Sequence, residues 1–171
     1  FLNNLAKTRA GESTVVIDLS TFKDTIRQTT LVVNQGISLK FTNGAIRRGE
    51  GIATGEPFIV ISNGTIVELD ETVILSGENL KTNGPVVRVD NSSLKTAAYI
   101  GNTRRGSVNE YFYSLQVDWD GNVYTSSAGS KSMALYANST PCNSKLEIVG
   151  GIISVGLSYG GDENMVMSGG Q

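Results

Sequence analysis

The chain has 171 residues, a formal net charge of -2, and 18% charged residues against the ~25% of an average globular protein. Sixteen valines and 13 isoleucines stand beside 13 leucines, with 20 glycines, 18 serines, 15 threonines and 14 asparagines. Strand and turn formers in this proportion disfavour a helical bundle or coiled coil, and 39% hydrophobic content disfavours a disordered chain.

From the N-terminus, residues 2–9 read as a short helix or extended arm, and 14–18 as a strand. Residues 20–24 read as a turn or a single helical turn capped by Ser20. The segment 1–28 is expected to form an arm and cap, because the first layer of a solenoid exposes apolar surface and strand edges. Short strands follow at 30–33, 37–41, 58–61, 65–69, 72–75 and 86–89, each bounded by Gly, Asn, Asp or Ser. Beyond them, strands are expected within 110–118, 132–137, 145–149 and 151–155, with 119–130 as a longer loop. Insertions of that kind project from a stacked repeat, often on its binding face.

No run approaches the ~18 apolar residues of a membrane-spanning helix, so no membrane insertion is expected. Residues 1–7 lack the apolar stretch of a signal peptide, and the missing initiator Met points to a fragment or a processed product. The absence of histidine excludes Ser-His-Asp triads and imidazole zinc sites. Mild acidity argues against nucleic acid as a partner. No cofactor and no metal is expected.

Asn-Gly turns recur at Asn43-Gly44, Asn63-Gly64 and Asn83-Gly84, 20 residues apart each time. An aliphatic residue follows at a constant phase, so Ile26, Ile46, Ile66 and Val86 are expected to stack in one column. A layer of two or three short strands in roughly 20 residues suits a parallel β-helix, with layers ~4.8 Å apart. A β-sandwich also has short strands, but nothing in it requires one turn dipeptide at a fixed interval. The leucine-rich repeat pattern is absent. The expected fold is an all-β right-handed parallel β-helix of about six to seven coils over 29–171, behind the cap at 1–28.

Residues 29–46, reading TTLVVNQGISLKFTNGAI, resemble the opening coils of the pectate-lyase-like right-handed β-helix superfamily. In particular they are similar to bacteriophage tailspikes and tail fibres, as is the stretch 84–91, reading GPVVRVDN. The resemblance spans roughly residues 14–171. It implies a homotrimeric virion tail appendage that contacts other tail proteins and binds a bacterial surface polysaccharide. Some members also cleave that glycan, as hydrolases or lyases. No catalytic signature of the superfamily can be placed on this chain. The expected function is host attachment by a tail-fibre or tailspike segment. The alternatives are a polysaccharide-degrading enzyme on the same fold and a bacterial adhesin, extracellular or on the cell surface.

Glycoside hydrolysis uses two carboxylates ~5–9.5 Å apart. Glu110, Asp118 and Asp120 are the catalytic candidates, and 118 and 120 would lie ~6.5–7 Å apart on one face of a strand. Trp119, Tyr111 and Tyr113 offer faces for stacking on sugar rings, and Arg104 and Arg105 can grip acidic glycans. The plain alternative makes Asp118 and Asp120 loop openers, Trp119 a packing residue, and the arginines partners in surface ion pairs. Arg47-Arg48 read the same way. Glu68, Asp70 and Glu71 read as a solvated face, with Val67 and Leu69 turned inward and no calcium-loop pattern. Cys142 reads as an ordinary thiol, since no base is present to activate it. Three N-x-[ST] matches, at Asn63, Asn91 and Asn138, matter only in a secretory pathway.

Overall fold

The computed structural model describes residues 14–22, 25–53, 55–78, 84–102, 104–105, 110–111, 114–118, 135–137, 143–154, 157–159 and 165–171. The first round of the chain is β1 (Val15–Asp18), a 3-10 turn (Leu19–Phe22), β2 (Thr25–Arg27) and β3 (Leu31–Val33). The second is β4 (Ser38–Thr42), β5 (Gly44–Arg48) and β6 (Ile59–Ile61); the third is β7 (Ile66–Leu69), β8 (Val73–Ser76) and β9 (Val87–Val89). The fourth is β10 (Ser93–Thr96), β11 (Tyr99–Gly101), the short pair β12 (Arg104–Arg105) and β13 (Glu110–Tyr111), and β14 (Leu115–Val117). After β15 (Leu135–Ala137) come β16 (Lys145–Val149), β17 (Ile152–Ser154) and β18 (Leu157–Tyr159), and β19 (Met165–Gly169) opens another round.

Successive rounds lay their strands on the same three sheets. Sheet A holds β1, β4, β7, β10, β16 and β19; sheet B holds β2, β5, β8, β11 and β17; sheet C holds β3, β6, β9, β14, β18 and β15. Every pairing within these sheets is parallel, and the antiparallel pair is β12 with β13. An all-β chain of three stacked parallel sheets is compatible with a parallel β-helix. Segments 15–18 and 25–27, inside the stretch expected as a cap, are edge strands of sheets A and B. One strand leaves the serial order: β15 precedes β16 in the chain yet pairs with the far side of β18, at the edge of sheet C.

Period-two alternation turns one side chain of each pair inward. On sheet A, Val15, Leu39, Val67, Leu94 and Leu146 form one buried column, and Ile17, Phe41, Leu69, Thr96 and Ile148 form the next. The polar member is satisfied locally, because Thr96 Oγ1 accepts the Ala98 N–H at 3.1 Å. Sheet B contributes Ile46, Leu75 and Ile100, and sheet C contributes Leu31, Ile59, Val87, Leu115 and Val33, Ile61, Val89, Val117. Each such burial contributes about 1.5–3 kcal/mol, so the shared axis is the dominant stabilising feature.

The repeat length differs from the expected 20. The sheet C columns recur every 28 residues, at 31, 59, 87 and 115. The expected column therefore does not form. Ile46 points inward opposite Thr25, whereas Ile26 lies opposite Arg47 and is 62% exposed. Ile66 is 53% exposed on the outside of sheet A, and Val86 is buried just ahead of β9. The Asn-Gly pairs sit at three different corners. Asn43-Gly44 joins sheet A to sheet B, Asn63-Gly64 joins sheet C to sheet A, and Gly84 approaches sheet C; Asn83 lies outside the described residues. Asn43, Asn63 and Gly64 have φ of 59°, 62° and 67°, so the first two pairs share a left-handed backbone and serve different corners. The turn after β1 also differs in its cap. It begins at Leu19, and the Asp18 carboxylate accepts the Ser20 N–H at 2.9 Å, so Asp18 fills the role expected of Ser20.

Candidate functional site on the fourth round

The chain carries extra residues in the fourth round, in two stretches, one on each side of β14. The first lies between sheets B and C. Its base is pinned by Asn102, which is buried, donates its N–H to Ser114 Oγ at 2.8 Å and its side-chain amide to the Gly84 carbonyl at 2.9 Å. Ser114 Oγ in turn donates to the Ser154 carbonyl, tying this base to the next round. The ribbon then pairs Arg104 with Tyr111 and Arg105 with Glu110. Four sequence candidates thus meet on one short hairpin.

Residues 119–134 and 138–142 lie outside the described residues, and just before them stands Asp118. That residue follows β14 with φ of 47°. Its Oδ1 accepts the Asn91 N–H at 3.0 Å and the Ser144 hydroxyl at 2.7 Å; its Oδ2 accepts the Ser144 N–H at 3.0 Å and the Asn143 N–H. A carboxylate offers about four lone-pair positions, and here each has a donor. Asp118 accordingly ties together the end of β14, the approach to β16, and the equivalent corner of the previous round. Trp119, Asp120, Tyr113 and Cys142 lie outside the described residues.

The outer face of sheet C carries the central row Val32, Val60, Arg88, Gln116, Ser158 and Tyr136. Val32 is 45% exposed, the Arg88 side chain is 32% exposed, and Gln116 is 2% exposed. Burial therefore rises sharply between Arg88 and Gln116. Arg88 Nε pairs with Asp90 Oδ2 at 2.8 Å. On the next strand, the Gln116 side-chain oxygen is buried with no hydrogen-bond donor among the described residues. A half-exposed guanidinium–carboxylate pair presents donors and acceptors side by side, the arrangement that meets vicinal hydroxyls.

Arg88, Asp90 and Gln116 escaped the sequence reading. The signal was present, since Arg88 and Gln116, like Asp90 and Asp118, stand 28 residues apart. Other candidates divide by side of the sheet. Arg47 turns outward to Glu78 Oε1 at 2.7 Å, in the surface ion pair expected of it. Arg48 turns inward, is 2% exposed, and donates Nη2 to the Ala53 carbonyl at 3.3 Å. Burial lowers its pKa, with Glu56 opposing. Glu68 faces outward toward Lys40 Nζ at 3.1 Å, with Val67 and Leu69 buried as expected.

No family model matches the chain, and no curated protein sequence and no solved structure matches it either.

Proposed function

We propose that this chain is a glycan-attachment segment of a bacteriophage tail fibre or tailspike, a right-handed parallel β-helix of about six coils behind an N-terminal cap. Its ligand is a bacterial surface polysaccharide, held on the outer face of sheet C at the Arg88–Asp90 pair. The observation that carries this reading is that ion pair on an otherwise aliphatic stretch of the outer row, one strand from the buried Gln116. A guanidinium and a carboxylate side by side offer a sugar both donors and acceptors.

A glycan array of bacterial surface polysaccharides tests the reading. Binding by the parent protein, weakened at least fivefold by Arg88→Met without loss of folding, is the expected result. Absence of binding to every polysaccharide would end it. Release of reducing ends by the parent protein would move the assignment to a polysaccharide-degrading enzyme.

A further inference from the structure

The outer face of sheet A carries a charge order with a symmetry of its own. Its central row, strand by strand, is Val16, Lys40, Glu68, Lys95, Glu147 and Val166. Read along the stack, this is apolar, plus, minus, plus, minus, apolar. Val16 and Val166 are 49% and 55% exposed, and all four charged side chains reach solvent. A shallow groove runs over the same face, and Ile66, 53% exposed, lies in the adjacent row.

We propose that this face docks a second copy of the chain, with the two stacks antiparallel and related by a two-fold axis along the strand direction. That rotation reverses the order of the strands and keeps the row. Lys40 then meets the other copy's Glu147, Glu68 meets Lys95, and Val16 meets Val166. Every charge on the row finds its opposite twice over, and the two apolar ends close on each other. The adjacent rows add no like-charge contact, because Lys145 comes opposite Ser38 and Asp70 opposite Ala97. The other face-to-face arrangement, with the stacks parallel, would set Lys40 on Lys40 and Glu68 on Glu68. The charge order thus selects one orientation and penalises the other.

The size of the face sets the strength. Six strands ~4.8 Å apart, each four or five residues long, cover about 430 Å² per copy. That is below the ~600–800 Å² per partner of a stable interface, so the dimer is weak and salt-sensitive. It leaves the Arg88–Asp90 pair on sheet C outside the contact and does not depend on the glycan reading. It also differs from the trimer that the superfamily resemblance implies.

Sedimentation equilibrium of the 171-residue protein at 10–500 µM decides the matter. The expected result is a monomer–dimer equilibrium weakened by 0.5 M NaCl. Lys40→Glu should weaken it about tenfold, since two attractive contacts become repulsive. The decisive variant is Lys40→Glu with Glu147→Lys. It places like charges side by side within each sheet, at 40 and 68 and at 95 and 147, yet restores every contact between copies. Dimerisation should return to within about threefold of the parent while urea stability stays lowered. A monomer at all concentrations, a trimer, a dimer indifferent to Lys40→Glu, or a double variant no better than the single would each overturn the proposal.

Discussion

Replacing Asp118 by alanine removes the acceptor for three backbone N–H groups and one hydroxyl. These donors are unequal. Asn91 and Asn143 are exposed, so water takes over their hydrogen bonds at little net cost. Ser144 is 0% exposed, and both its N–H and its hydroxyl would lose their partner without replacement. Each buried orphan costs ~1–3 kcal/mol. Alanine in the left-handed backbone at φ 47° adds ~1 kcal/mol. The expected loss is therefore about 3–7 kcal/mol. Asparagine keeps one acceptor oxygen and tolerates the left-handed conformation, so Asp118→Asn should cost about 1–2 kcal/mol. The damage should also spread, because Ser144 Oγ accepts the Ser92 N–H at 3.2 Å one round earlier. Urea unfolding of the parent and both variants gives the numbers. Proteolysis should reveal faster cleavage within 119–142 for the alanine variant. Polysaccharide binding should survive Asp118→Asn, since this carboxylate serves the fold. An alanine variant within ~0.5 kcal/mol of the parent would refute the reasoning.

Neighbouring residues on sheet A test which side chains face inward. Val67→Ser should cost about 2–4 kcal/mol at a 1% exposed position, and Ile66→Ser less than ~0.5 kcal/mol on the outer face, both read from urea midpoints. Glycines of two Asn-Gly pairs should respond differently to alanine. Gly84→Ala drives a Cβ into the backbone carbonyls of Gly55 and Glu56 and should cost ~2–4 kcal/mol, whereas Gly64→Ala meets open space and pays only ~1 kcal/mol for φ 67°. Lys40 should titrate above the ordinary lysine range, because Glu68 hydrogen-bonds and attracts its ammonium. A raised lysine pKa stabilises the fold below the unfolded-state value, and that contribution fades as pH rises through the folded-state one. Glu68→Gln should bring the Lys40 midpoint down in an NMR titration of side-chain resonances.

How much of the fold was legible follows from which signal governs it. The strand class was visible because apolar residues alternate with polar ones in short runs, as in Ser38–Thr42, where Leu39 and Phe41 are buried between Ser38, Lys40 and Thr42. The repeat length was hidden, because turn dipeptides punctuate corners and do not measure the core. An Asn-Gly pair suits any corner that needs positive φ, and a three-sheet stack has three corners per round. Asn43-Gly44 and Asn63-Gly64 serve two different corners, so the interval between them is not a repeat. The inward aliphatics were the better ruler. Leu31, Ile59, Val87 and Leu115 keep their 28-residue spacing because each must stack on the last. Sheet A spaces its column less evenly, since Val15, Leu39, Val67 and Leu94 are 24, 28 and 27 residues apart, and Leu94 and Leu146, though adjacent in the column, are 52 apart.

The candidate site was half legible for a related reason. Residues 104–120 stood out in sequence as the place where charged and aromatic residues break the rhythm, and there β12 and β13 form the antiparallel pair beside the three parallel sheets. Sequence proximity made Asp118 look like one of a pair of carboxylates. Its true neighbours come from residues 91, 143 and 144, which only the stacking of rounds brings together. The same stacking sets Arg88 beside Gln116, and the rise in burial between them is a property of neither residue alone. In a solenoid, a side chain's environment is decided by the residue one period away as much as by its chain neighbours. A polar residue that keeps phase with core positions therefore marks a place where the outer face has been put to use. Arg88 and Gln116, on the outer row between two inward columns of Val and Leu, meet that criterion, and the charge row from Lys40 to Glu147 meets it on the opposite sheet.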